Sequence, residues 1–160
     1  MIRLACQQDM PRLLEIYDIA RQFMRQNGND VQWGNNYPAE SVLCADIAAE
    51  RLYAIEEDGQ VCACFMLASG PDVTYRVIHG GAWASDTPYG VIHRVASDGT
   101  LKGIVAQCVA FAREWYSHLR IDTHEKNLPM QRALAKAGFT HRGTIFVADG
   151  TPRLAYDWLG

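Results

Sequence analysis

One short stretch, VIHRVASDGTLKGIVAQ at residues 91–107, holds a histidine, a lysine and two glycines that could do group-transfer chemistry. Its first part indicates a strand, and the residues after Gly103 have the apolar spacing of a helix. A loop that leads into a helix offers backbone N–H groups and a positive dipole end to an anion. Gly103 permits close approach to the backbone, and Lys102 adds charge. The stretch by itself predicts either a phosphate site or an ordinary strand-to-helix turn.

Length and composition indicate an ordinary globular protein. The chain has 160 residues, of which 49% are hydrophobic and 21% charged. This predicts one domain over residues 1–160 whose hydrophobic core is stable without disulfides or a structural metal. The net charge is −3 and no basic run occurs, so no nucleic-acid partner is expected. No apolar stretch has the length of a membrane span and no signal peptide is recognised, so no membrane association is expected.

Five cysteines bear on the compartment and on metal binding; they are Cys6, Cys44, Cys62, Cys64 and Cys108. Their odd number and irregular spacing predict free buried thiols in a reducing cytoplasm. Cys62 and Cys64 share one face of a predicted strand, but no second cysteine pair lies near them in sequence, so we expect no metal.

The elements that must position the stretch follow from periodicity and from turn residues. We predict strands over 2–6, 89–97 and 119–124, helices over about 10–26, 39–50, 101–118 and 127–138, and hairpins that turn at 57–60 and at 149–150. Phe111 and Trp115 are expected on the buried side of the third helix. The order βααβββαβαββ predicts an α/β (α+β) fold, a central mixed sheet with helices on both faces.

The C-terminal half resembles the GNAT family, the Gcn5-related N-acetyltransferases. The strand RVAS leads to LKGIV in the place of the family's glycine-containing phosphate loop, and Asn127 opens a helix that ends in Ala137-Gly138-Phe139. The order of elements fits the family over nearly the whole chain. The resemblance implies a GNAT-like acyl-CoA N-acyltransferase fold and acetyl-CoA as the co-substrate.

Cofactor contacts can be carried over position by position from this resemblance. The strand backbone at Val95, Ala96 and Ser97 would pair with the pantetheine arm. The backbone N–H groups of Lys102, Gly103, Ile104, Val105 and Ala106 would hold the pyrophosphate. Asn127 would contact the pantetheine or its sulfur end.

Three positions depart from the family pattern. Thr100 and Val105 stand where the family prefers Gln or Arg and Gly or Ala, and the loop between Ser97 and Lys102 looks about two residues short. Leu134 stands where many members keep a tyrosine that protonates the leaving thiolate. The general acid is therefore less well defined than the cofactor loop, whose phosphate contacts are made mainly by backbone.

Acetyl transfer to an amine requires a base, an oxyanion donor and an acid. His93 is the base candidate, because imidazole titrates near neutral pH and alternation gives it the strand face of Val95; a structural histidine is the alternative. The resemblance assigns the oxyanion to a backbone N–H near Val95. His124 is a candidate proton relay or a polar strand end, and Tyr156 could supply the missing acid or serve in packing.

Large aromatic side chains lie on the two irregular connections and could border an acceptor pocket or seal the core edges. Trp33 and Tyr37 lie on the first connection; Tyr75, His79 and Trp83 lie on the second, where His79 and Asp86 could meet a cationic amine. We predict a cytoplasmic N-acetyltransferase for an amine of a small molecule or peptide, with a possible homodimer through the final hairpin. A non-catalytic acyl-CoA-binding or regulatory domain of the same fold is the alternative.

Overall fold

The computed structural model describes residues 1–160 and has seven strands and four helices in the predicted order. The strands are β1 Ile2–Leu4, β2 Leu52–Glu57, β3 Gln60–Ser69, β4 Gly90–Ser97, β5 His118–Thr123, β6 Thr140–Phe146 and β7 Pro152–Leu159. The helices are α1 Met10–Gln26, α2 Glu40–Ala48, α3 Ile104–Arg113 and α4 Leu128–Lys136. Short 3-10 turns cover Gln7–Asp9 and Val73–Tyr75.

The strands form one mixed sheet in the order β1-β2-β3-β4-β5-β7-β6. The β1–β2, β2–β3, β5–β7 and β6–β7 pairs are antiparallel, and β4–β5 is parallel. The predicted mixed sheet with four helices is therefore confirmed. The chain divides into two compact units, Met1–Leu67 with His93–Ile104 and Ala68–Ile92 with Val105–Gly160.

The first unit has its core where α1 and α2 bury one face each. Leu13, Ile16 and Tyr17 of α1 are fully buried, because their spacing places them on one helical face. Leu43 of α2 is also fully buried. The β2–β3 hairpin turns at Asp58-Gly59, where both residues have positive φ, 50° and 76°. Positive φ at both central residues is the pattern of a type I′ turn, and the predicted hairpin is confirmed.

The second unit has a core cluster formed by Tyr75, Val91, Ile145 and Ala155. Its helix α4 ends in a Schellman motif: Phe139 N–H donates to Leu134 O at 3.0 Å and Gly138 N–H donates to Ala135 O at 3.1 Å. Gly138 has φ 89°, a left-handed conformation that favours glycine. The predicted end of this helix is thus confirmed.

The prediction for α3 is wrong at both ends. The helix begins at Ile104 and ends at Arg113, so Leu101 and Lys102 lie in the preceding loop. Trp115 follows the helix and is 69% exposed rather than buried. Helical spacing continues in the sequence as far as Trp115, but the chain leaves the helix earlier and turns toward β5.

The outer edge of β6 is covered at one point by the connection before β4. His79 N–H donates to Thr144 O and Thr144 N–H donates to His79 O, both at 2.8 Å. Gly143 has no room for a Cβ, because one would lie 2.5 Å from His79 O. The final hairpin, through which a homodimer was predicted, has the backbone groups of Thr144 already paired with His79.

Candidate functional site

Strand β4 is paired with β5 only at its start. The parallel register joins Gly90 to Leu119 and Val91 to Arg120, although β4 continues to Ser97. Within β4, Arg94 has φ 53°. A residue other than glycine in the left-handed region costs about 1–3 kcal/mol and persists only where its surroundings hold it.

Contacts within the first unit hold Arg94 from both its backbone and its side chain. Tyr17 Oη donates to Arg94 O at 2.7 Å. The Arg94 guanidinium contacts the Asp46 carboxylate through Nε at 2.8 Å and through Nη2 at 2.6 Å. Asp46 lies on α2, is fully buried, and also accepts from Arg51 Nε at 2.8 Å. A buried carboxylate between two guanidiniums thus anchors the strand to α2.

The first aromatic pair joins this network. Arg94 Nη1 donates to Tyr37 Oη at 3.1 Å. Trp33 packs between the rings of Tyr17 and Tyr37, with centroids 5.7 Å and 6.3 Å away. Tyr37 remains 41% exposed. The structure therefore brings Trp33 and Tyr37 together beside the Arg94 side chain.

Position 94 changes what alternation predicts for its neighbours. His93, Arg94 and Val95 are all half-buried, while Ala96 is buried. Because Arg94 has a left-handed backbone, the shared face that we expected for His93 and Val95 no longer follows from a period of two. Their roles as base and as oxyanion donor stay predictions.

The loop between β4 and α3 is organised by Ser97 and Asp98. Gly99 N–H donates to Ser97 Oγ at 3.0 Å, and Asp98 Oδ1 accepts from the N–H and Oγ1 of Thr100 at 2.9 Å and 2.6 Å. Asp98 N–H donates to Cys62 O at 2.9 Å. The loop therefore has a defined turn in spite of its short length.

Gly103 immediately precedes the N-terminus of α3. It has φ 71°, and a Cβ added there would meet nothing within 4 Å. The N–H groups of the first turn of a helix have no acceptor inside the helix and point along its axis toward an anion. Lys102 and Ala106 are exposed, and Val105 is half-buried. The space beside Gly103, the N–H groups of the first helical turn and the charge of Lys102 together suit a pyrophosphate group.

In the second unit, His124 and Asn127 shape the turn before α4. His124 Nδ1 accepts from Lys126 N–H at 3.1 Å. Asn127 is buried and its Oδ1 accepts from Met130 N–H at 3.2 Å, which is an N-cap. The predicted cap is confirmed. Contacts of His124 and Asn127 with a substrate or cofactor stay predictions.

Tyr156 lies in the middle of β7, where it is opposite Ile121 and His141. The side chain is buried and its ring centroid lies 5.3 Å from that of His141. Burial raises the pKa of Tyr156, which makes its phenol a weaker acid than that of an exposed tyrosine. Leu134 of α4 is fully buried and brings no proton donor to the site.

The second aromatic set is mostly packed inside its unit. Tyr75 is 1% exposed, and its Oη donates to Asp122 Oδ2 at 2.6 Å. Burial raises the pKa of Tyr75 well above its usual value. Trp83 Nε1 donates to Tyr75 O at 2.9 Å, whereas His79 is exposed. Tyr75 therefore occupies the core, which is the alternative that the sequence leaves open for these aromatics.

The sequence analysis missed two buried carboxylates, each of which binds groups from other segments of its own unit. Asp46 and Asp157 are both fully buried; Asp157 accepts from Arg142 Nε at 2.7 Å and from Ala84 N–H at 2.8 Å. Asp46 lies among the apolar residues of its helix, three positions after Leu43. A single carboxylate within an apolar run was the one available signal, and its partner in β4, Arg94, is 48 positions away.

The cysteines are all free, and Cys62, Cys64 and Cys108 are buried while Cys6 is exposed. The structure contains no group of three or more His, Cys, Asp or Glu side chains that could hold a metal ion. None of the helices combines the length and the apolar character that crossing a membrane requires.

Comparison with solved structures identifies the fold. A GNAT-family acetyltransferase from Streptococcus agalactiae is 28% identical, with a TM-score of 0.88, and the match covers 100% of this chain and 95% of that one. YncA from Salmonella typhimurium, solved with its cofactor acetyl-CoA, is 16% identical with a TM-score of 0.62, and 99% of this chain and 92% of that one are covered.

The aminoglycoside acetyltransferase AAC(6')-Ib, in complex with coenzyme A and kanamycin, is 21% identical with a TM-score of 0.66, covering 99% of this chain and 94% of that one. No protein-family model matches the sequence, and no curated protein matches it. The structural matches extend over the whole chain. The resemblance to the GNAT family is therefore confirmed, and the chain has the fold of the GNAT acetyltransferases.

Proposed function

We propose that the protein is an N-acetyltransferase that transfers an acetyl group directly from acetyl-CoA to an amine of a small molecule or peptide. The observation that supports this most is the β4–α3 connection on a GNAT fold: Gly103, just before α3, has φ 71°, and a Cβ built on it would meet no atom within 4 Å. YncA was solved with acetyl-CoA and AAC(6')-Ib with coenzyme A, which supports the same ligand here.

The proposed cofactor contacts are mainly backbone groups. The N–H groups of Lys102, Gly103, Ile104, Val105 and Ala106 hold the pyrophosphate, with added charge from the Lys102 ammonium. Backbone groups of Val95, Ala96 and Ser97 hold the pantetheine, since β5 pairs with β4 only at Gly90 and Val91. Asn127 keeps its predicted role at the pantetheine or its sulfur end. Acetyl-CoA supplies the activated acetyl group when bound.

Four proton and charge roles are proposed for side chains and backbone. His93 takes a proton from the acceptor amine at an imidazole nitrogen. Val95 N–H donates a hydrogen bond to the developing oxyanion. Tyr156 gives a proton to the leaving thiolate, and His124 is a relay. Leu134 cannot provide this proton.

The acceptor is an amine held beside Trp33 and Tyr37, the aromatic pair next to Arg94. Exposure of Tyr37 supports this, and His79 and Trp83 are further candidates for the acceptor side. Tyr75 was also predicted to bind the acceptor, but its ring is buried and its hydroxyl is bonded to Asp122. AAC(6')-Ib was solved with kanamycin, and another similar structure is a ribosomal-protein-alanine N-acetyltransferase from Brucella melitensis. Both kinds of amine are consistent with the proposal.

A cytoplasmic location is also proposed, because five free thiols suit a reducing compartment. A homodimer through the final hairpin stays a prediction. Such a dimer would have to pair along β6 away from Thr144, whose backbone is bonded to His79.

The test begins with binding and then measures turnover. Acetyl-CoA and CoA at about 100 times their dissociation constants should stabilise the fold by about 2.7 kcal/mol in thermal unfolding. A panel of amines is then screened by mass shift. His93→Ala and His93→Gln should each lower kcat by about 10²–10⁴ and abolish the rise in rate with pH that an imidazole base produces. A variant that is as fast as the wild type excludes His93 as the base.

A second function, a non-catalytic acyl-CoA-binding or regulatory domain, is favoured by the fully buried Leu134 in place of a tyrosine. It predicts the same stabilisation by acetyl-CoA and CoA but no acetylated product with any amine. Product formation in the mass-shift screen decides between the two functions.

A further inference from the structure

Arg94 is the residue of β4 whose backbone conformation is unusual. Three residues other than glycine have positive φ, namely Glu50, Asp58 and Arg94. Glu50 and Asp58 lie in turns, where such a backbone is common, whereas Arg94 lies inside a strand. A left-handed residue within a strand redirects the N–H and C=O groups on either side of it.

Three partners hold this conformation, and all come from elements that precede β4. Tyr17 Oη of α1 donates to Arg94 O. Asp46 of α2 binds the guanidinium twice, through Nε and Nη2. Tyr37 Oη accepts from Nη1 at 3.1 Å. Tyr17 thus holds the backbone carbonyl of Arg94, while Asp46 and Tyr37 hold its guanidinium.

Asp46 is the centre of this arrangement. Its side chain is fully buried and it accepts from two guanidiniums, those of Arg94 and Arg51. A buried carboxylate keeps its charge only where such donors are present. Arg51 is 39% exposed and donates to Asp46 Oδ1, whereas Arg94 donates to Oδ2 and is itself a residue of β4. Only Arg94 therefore passes the hold of Asp46 directly to the strand backbone.

We propose that Asp46 and Arg94 are positioning residues: Asp46 holds Arg94 in the left-handed conformation that directs Val95 N–H toward the acyl oxygen and keeps Tyr37 at the acceptor side. The inference rests on the proposed function, because it assigns a purpose to the Val95 N–H. Neither Asp46 nor Arg94 touches the reacting atoms. Their effect is transmitted through one backbone amide and one tyrosine hydroxyl.

The test compares acetyl-CoA with CoA, because only acetyl-CoA has the acyl oxygen. Binding of both to the full chain is measured by calorimetry for the wild type, Arg94→Gln, Asp46→Asn and the control Arg51→Gln. We expect Arg94→Gln and Asp46→Asn to raise the Kd for acetyl-CoA about fivefold, the effect of one hydrogen bond. The Kd for CoA should change by less than about twofold. Arg51→Gln removes the other donor of Asp46 but leaves both Arg94–Asp46 bonds in place, so it should raise the Kd for acetyl-CoA less than Arg94→Gln does.

Two further variants keep the test decisive if Asp46→Asn folds poorly. Arg94→Lys retains the charge beside Asp46, so it should recover some of the acetyl-CoA affinity that Arg94→Gln loses. The recovery should be incomplete, because an ammonium group lacks the second donor of the guanidinium. Tyr17→Phe removes only the hydroxyl that holds Arg94 O, and should raise the Kd for acetyl-CoA about two- to threefold.

Equal weakening of acetyl-CoA and CoA in Arg94→Gln would show a purely structural role and overturn the proposal. Unchanged binding of both would overturn it as well. A different failure belongs to the proposed function itself: a wild type that binds neither acetyl-CoA nor CoA contradicts the cofactor assignment, and the positioning role falls with it.

Discussion

Arg12 of α1 donates through Nη2 to Asp98 Oδ2 at 2.6 Å, and this pair ties the first helix to the loop that precedes α3. The Asp98 side chain is only 6% exposed, so removal of this partner would leave a nearly buried carboxylate without its charged donor. Arg12 also donates through Nε to Val61 O at 2.9 Å. The helix thus supports the loop at which we place the pyrophosphate.

Replacing Arg12 by methionine should loosen this loop. We expect Arg12→Met to lower the free energy of unfolding by about 1–3 kcal/mol, because the buried Asp98 carboxylate loses a charge-assisted hydrogen bond. The Kd for acetyl-CoA should rise about three- to tenfold. Urea unfolding and calorimetry measure the two effects. Glu15→Gln is the control, since Glu15 is an exposed partner of the same guanidinium, and it should change neither quantity appreciably.

A side chain at Gly103 should destabilise the fold even though space is available for it. With φ 71° and nothing within 4 Å of a built Cβ, Gly103→Ala costs backbone energy of about 1–2 kcal/mol and no steric clash. We expect this loss in urea unfolding together with a raised Kd for acetyl-CoA.

Gly28 offers a matched control for that variant. It has φ 81° and equally open surroundings, but it lies after α1 rather than before α3. Gly28→Ala should therefore lose similar stability and keep acetyl-CoA binding. Loss of binding in both variants would mean that global destabilisation, not the loop, explains the effect.

The Arg3–Asp9 pair predicts a specific acid dependence of stability. Arg3 donates to both carboxylate oxygens of Asp9, at 2.8 Å and 2.9 Å, and these bonds lower the pKa of Asp9 from 3.8 to about 2. A lowered pKa means that the stabilisation is fully present above about pH 4 and is lost as the pH falls through 2.

Asp9→Asn should therefore be less stable than the wild type by about 1 kcal/mol at pH 6, a modest value because Arg3 is partly exposed to solvent. The difference should shrink steadily between pH 4 and pH 2 in urea titrations. A difference that stays constant over this range would show that the charge of Asp9 is not its source.

The thiols should fall into kinetic classes that follow burial. Cys6 is exposed, whereas Cys62, Cys64 and Cys108 are buried, and burial raises the pKa of Cys64 to about 12. A disulfide reagent at pH 7.5 should modify Cys6 first, Cys44 more slowly, and the buried three only after denaturation. Cys6→Ser should remove the fast phase, and a fast phase that persists would contradict this order.

Local sequence patterns predicted most of the fold. The turn at Asp58-Gly59 and the Asn127 cap follow from residue chemistry within a few positions, and both occur as expected. Helical periodicity was less reliable at the end of α3: Trp115 has the correct spacing but lies outside the helix. Spacing reports which side chains could share a face, not where the chain stops being helical.

The sequence by itself determined the order of elements, the glycine-containing loop before α3 and the resemblance to the GNAT family, because each depends on neighbouring residues. Only the tertiary structure decided that Arg94 is left-handed and that Asp46 holds it, since these residues are 48 positions apart. It also decided that Trp33 and Tyr37 lie beside Arg94 while Tyr75 is buried. Contacts between distant segments form only when the hydrophobic core brings their helices and strands together.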